Sequence, residues 1–147
     1  MPMMNTVAGA VSKRLPKVVS PKGHAIIDYI TAGSFLLAGM LFWKRNKRAA
    51  LGALVCAGAD LTLSLLTDYP GGVASVISFP THCKIDLGLA AMTAEMPRFM
   101  KFEDDAEKKF FLMQGAGIIT VTNLTDTNRP LYRLQERIEH ARERRAA

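Results

Sequence analysis

The stretches HAIID at residues 24–28 and HCKID at residues 82–86 decide how this chain is read. Each sets a His four residues ahead of an Asp, one helical turn apart on the same face. Each also opens a longer run of small and apolar residues. The first run, Ala25 to Trp43 (AIIDYITAGSFLLAGMLFW), carries one charge in 19 residues, and Ala49 to Thr67 (AALGALVCAGADLTLSLLT) matches it in length and charge. A bilayer crossing takes about 20 mostly apolar residues, so both runs qualify as spans. Between them lies KRNKR, residues 44–48, a short cationic turn suited to a headgroup surface.

Two later segments are weaker. Phe110 to Thr125 (FFLMQGAGIITVTNLT) is uncharged but short, and Cys83 to Met100 carries Lys84, Asp86, Glu95 and Arg98. A charge at a helix centre costs roughly 2.5 to 3.5 kcal/mol on insertion scales, so hydropathy alone would not select that segment. An internal repeat does. Shifting the chain by 58 residues aligns His24 with His82, Asp28 with Asp86, Thr62 with Thr120, and LTD at 66–68 with LTD at 124–126, without a gap. Val18, Ser20, Ile27 and Ala32 also meet identical residues at Val76, Ser78, Ile85 and Ala90.

Two spans return the chain to its starting side, so the copies share one orientation and are related by a pseudo-two-fold axis along the membrane normal. The expected fold is therefore all-α: an integral membrane four-helix bundle of two tandem, parallel helical-hairpin repeats, plus a C-terminal amphipathic helix. A length of 147 residues fits one domain. Within it, residues 1–23 form a basic N-terminal segment, 24–70 and 71–128 the two hairpins, and 129–147 a basic tail.

The same topology predicts a site. Asp68 ends the second helix, which returns to the level where the first began, near His24 and Asp28; Asp126 stands likewise to His82 and Asp86. Two His and four Asp, namely His24, Asp28, Asp68, His82, Asp86 and Asp126, are thus expected near one membrane face. Along the second helix Gly52, Cys56, Asp60, Ser64 and Asp68 recur every four residues, a small and polar stripe that should face protein. Gln114, Thr122 and Asp126 partly repeat it in the fourth helix, but Ile118 stands where Asp60 would, so the halves are not equivalent.

Imidazole nitrogen with carboxylate oxygen suits Zn, Fe, Mn or a similar divalent ion. The bland alternative is an intra-helix His–Asp hydrogen bond that orients each ring, with Asp68 and Asp126 ending helices at turns. A proton or ion relay is a third reading, and a haem ligated by both imidazoles a fourth; against haem, both His lie near helix ends with an Asp one turn away. Cys56 lies 12 residues from Asp68, about 18 Å along the helix, while Cys83 belongs to the His end, so no disulfide is expected. The Met residues form no compact cluster, and Trp43 reads as an interfacial anchor. No G-x-S-x-G, P-loop, dinucleotide or C-x-x-C motif occurs.

A net charge of +6 could point to nucleic acid, but its distribution points to a membrane surface. Lys13, Arg14, Lys17 and Lys22 precede the first span, and the tail interleaves Arg with Glu while Leu131, Leu134 and Ile138 fall at helical spacing. Residues 1–23 lack the apolar core of a secretory signal. Basic residues flanking the His/Asp end number ten, against eight at the other end, so the termini are expected in the cytoplasm. The expected partners are the lipid bilayer and a membrane protein or a second copy of the chain, with no nucleic acid. The sequence supports divalent-metal binding or ion handling, then an accessory subunit of a larger membrane complex, then a membrane oxidoreductase using metal or haem; it specifies no reaction.

Overall fold

The computed structural model describes residues 15–103, 105–127 and 140–146. Four long helices, α1 (Pro21–Phe42), α2 (Lys47–Leu66), α3 (Phe79–Phe99) and α4 (Lys108–Leu124), dominate an all-α fold. Their starts follow from local chemistry. Ser20 Oγ accepts the Gly23 amide at 3.1 Å, and Pro21 opens α1 where a missing N–H costs nothing. Asn46 caps α2 through the Ala49 amide, and Pro80 sits in the first turn of α3.

Helices α1 and α2 are long and apolar enough to cross a membrane. The charges of α3 and the 17-residue length of α4 keep those two from meeting the same standard. Helix α1 packs on α2 and α3 on α4, while α2 meets α3 more extensively than α1 meets α4. The contacts are made by small side chains: Ala32, Ala38, Ala49, Ala50, Ala53, Ala57 and Ala90 are all buried. At Gly115 a Cβ would lie 3.0 Å from the Ala90 carbonyl oxygen, so glycine there sets how near α4 approaches α3. Phe35, Met96, Phe102 and Phe111 fill the end remote from the His residues.

Large apolar side chains lie outside as well as in the core, and several ionisable ones lie within. Ile30, Leu37, Met40, Leu41, Val55, Leu87 and Met113 are each at least 46% exposed, whereas His24, Asp28, Asp60, His82 and Asp86 are at most 8% exposed.

Two short parallel pairings tie the hairpins together at the His end. Strand β1 (Thr67–Asp68) pairs with β2 (Ile77–Ser78), Thr67 opposite Ile77, and an isolated bridge joins Val19 to Thr125. Residues 19 and 67 lie 58 positions before 77 and 125. Chain entering each hairpin therefore pairs with chain leaving the other. At the opposite end Arg45 and Asn46 bind Glu107, and Asn46 also reaches Asp105 at 2.6 Å, joining the two hairpin turns. The periodic tail positions Leu131, Leu134 and Ile138 lie outside the described residues, as do residues 1–14; residues 140–146 are helical.

Candidate metal centre

His24 and Asp28 come from the first turns of α1, His82 and Asp86 from the matching turns of α3. One ligand atom from each of the four lies within 4.8 Å of the others, and all four residues are buried. His24 Nε2 stands 3.4 Å from Asp28 Oδ1 and 3.0 Å from Asp86 Oδ2; His82 Nε2 stands 3.1 and 3.2 Å from Asp28 Oδ2 and Asp86 Oδ2. Each imidazole thus faces the carboxylate of its own helix and that of the other.

Two threonines hold the outer edges of the rings. Thr67 Oγ1 lies 2.6 Å from the Leu63 carbonyl oxygen and 2.7 Å from His82 Nδ1, and Thr125 Oγ1 lies 2.7 Å from both the Val121 carbonyl oxygen and His24 Nδ1. A hydroxyl that gives its one proton to the carbonyl accepts from the ring N–H, and one that gives it to the ring leaves the ring proton on Nε2. In the first arrangement each Nε2 presents a lone pair to the centre or carries a second proton as imidazolium. With lone pairs, two nitrogens and two carboxylates all turn acceptors toward one another, an arrangement that protons or a cation among them would relieve.

The carboxylates are held unequally. Tyr69 donates to Asp28 Oδ2 at 2.9 Å, and Thr122 donates to Asp86 Oδ2 at 3.3 Å. Burial pushes the Tyr69 phenol well above its ordinary pKa, so it remains a donor. Tyr69 and Phe79 also roof the site: Phe79 lies edge-on to His24 at 5.3 Å and stacks on His82 at 6.0 Å, with Tyr69 5.2 Å from His82. The segment carrying Tyr69 folds back tightly, and a Cβ at Gly72 would fall 1.8 Å from the Thr67 carbonyl oxygen.

No protein-family model, curated protein or solved structure matches this chain. Chemical reading of the site therefore rests on its own geometry.

Four of the six sequence-nominated residues converge: His24, Asp28, His82 and Asp86. Asp68 lies in β1, and the Asp126 amide donates to the Val19 carbonyl at 3.0 Å; neither belongs to the converging group. The threonines just before them, Thr67 and Thr125, make the contacts to the rings. Both stand inside the repeated LTD, where the acidic residue draws attention away from the hydroxyl. Tyr69 and Phe79 carry no signal in the repeat, because Thr127 and Pro21 occupy the positions 58 residues away. Haem does not fit. The two imidazoles meet edge-on with centroids 5.2 Å apart, carboxylates crowd both Nε2 atoms, and the adjoining cavity is about 20 Å³, so no macrocycle can enter between them.

Proposed function

We propose that this protein is a small multi-pass membrane protein, its hairpins a tandem duplication, that binds one divalent transition-metal ion through His24, Asp28, His82 and Asp86. The observation that carries this reading is the convergence of two Nε2 atoms and two carboxylates from matching turns of α1 and α3, all four residues buried. Metal-ligating His commonly donates its other ring nitrogen to an outer partner, the part Thr67 and Thr125 take here. His82 Nε2 lies near both carboxylates yet in hydrogen-bond geometry with neither, as a nitrogen directed at a shared ion between them would.

Charge agrees. One divalent ion with two neutral imidazoles cancels two carboxylates, leaving a neutral centre compatible with lipid. The apolar exterior of all four helices supports a four-helix membrane bundle with α3 carried across by its partners, Glu95 and Arg98 standing at its exposed end. Matching His–Thr contacts and strand pairings at an offset of 58 support the duplication. The basic flanks support termini, and hence the site, at the cytoplasmic face. A bound ion would supply Lewis acidity beneath the Tyr69 and Phe79 rings.

One competing reading has its own support: His24 Nε2 and Asp86 Oδ2 are in hydrogen-bond geometry at 3.0 Å. Two imidazolium–carboxylate pairs would then lock the hairpins together, as befits an accessory subunit. Elemental analysis of gently extracted protein separates the two. The metal reading expects about one divalent ion per chain, lost in a His24→Ala/His82→Ala variant. Metal-free protein that takes up no divalent ion on titration would overturn it in favour of the lock.

A further inference from the structure

Beside the four converging groups lies a cavity of about 20 Å³, lined by His24, Asp28, Asp60, Asp86, Ile118 and Thr122 among others. That volume holds about one water molecule. Asp60 is 3% exposed, and its Oδ2 is buried without a hydrogen-bond partner. A buried carboxylate oxygen in that condition costs several kcal/mol unless something donates to it. The position 58 residues on is Ile118, on the same cavity wall, so the halves that match at the His–Thr contacts part company here. On the α4 side the wall includes Gly117, which is exposed; a Cβ there would meet no heavy atom within 4 Å.

We infer that the ion bound by His24, Asp28, His82 and Asp86 keeps one coordination position open toward this cavity, where it carries a water molecule hydrogen-bonded to Asp60. This rests on the metal reading above and sharpens it: a structural ion is fully enclosed by protein ligands, whereas an exchangeable water marks a position that a small ligand can take. The cavity admits a water or a ligand of that size and nothing larger, and the Asp60 carboxyl faces either one.

Cobalt(II) provides the test, because its visible bands weaken and shift as coordination rises above four. Full-length protein in detergent is stripped of metal, loaded with Co²⁺ and titrated with fluoride, which matches water in size. The wild type should take up one Co²⁺, show the weak bands of coordination above four and change its spectrum saturably with fluoride. Asp60→Asn should retain Co²⁺ with its fluoride midpoint moved about tenfold, the scale on which outer partners tune metal sites. Asp60→Glu, which pushes the carboxyl into the cavity, should abolish the fluoride response and serves if the Asn variant does not fold. Co²⁺ uptake with a four-coordinate spectrum indifferent to fluoride in the wild type would overturn the open position and leave the metal site standing. No Co²⁺ uptake would overturn both. A fluoride midpoint unchanged in both variants would remove Asp60 from the water's surroundings.

Discussion

The two hairpins hold their histidines alike and surround them differently. His24 leans on Thr125 and His82 on Thr67, each at 2.7 Å, each threonine donating back to a carbonyl four residues earlier in its own chain. Beyond that inner ring the likeness ends. Asp28 receives a phenol from Tyr69, Asp86 a hydroxyl from Thr122, and Asp60 faces the cavity where the other half offers Ile118. What the halves share positions both rings and so the centre itself. What they do not share determines which side of the centre is dry and which is wet.

The largest expected effect probes the shared part. Asp28→Asn or Asp86→Asn leaves opposing groups buried without their counter-charge and should cost about 3 to 5 kcal/mol in metal-free protein. Denaturation in mixed micelles measures it. A loss under about 1 kcal/mol for either would show that the hairpins do not share the load.

Thr67→Val and Thr125→Val test the likeness directly. Each strands a buried ring nitrogen, at about 1 to 3 kcal/mol, and should weaken metal affinity about 10- to 100-fold. The two variants should agree; a competition titration giving one a wild-type affinity would break the equivalence. Asp60→Ile tests the difference instead. It makes both walls of the cavity apolar and removes a buried carboxyl whose Oδ2 has no protein partner, so it should raise the stability of metal-free protein by about 1 to 3 kcal/mol in a thermal melt. Destabilisation would mean that Asp60 has a structural partner.

The smallest effect lies at the far end, where the hairpins meet without His or metal. Burial would raise the Glu107 carboxyl, but the hydrogen bond and charge of Arg45, with Asn46, hold it below its ordinary value of 4.5. Its folded pKa is depressed, so its contribution is complete above 4.5 and fades as pH falls through the lower folded value. Arg45 is 69% exposed, which limits the pair to about 1 kcal/mol or less. Glu107→Gln should flatten that acid limb of the stability curve and leave metal content unchanged.

Several features were legible in the residues alone. The His–Asp spacing put each pair on one helical face, and two runs of 19 residues with a single charge apiece marked α1 and α2. The offset of 58 nominated α3 despite its four charges, because a copied pattern carries information that average hydropathy discards. Local order and composition suffice for these, since helix period and span length are properties of consecutive residues. Only the tertiary structure decided which polar groups meet. It brought Thr67 and Thr125, not Asp68 and Asp126, onto the imidazoles, because strand pairing between the hairpins turns the hydroxyl inward. It also roofed the centre with Tyr69 and Phe79 and put Asp60 beside a water-sized space. Those outcomes depend on distances between segments far apart in the chain, which no periodicity within a segment encodes.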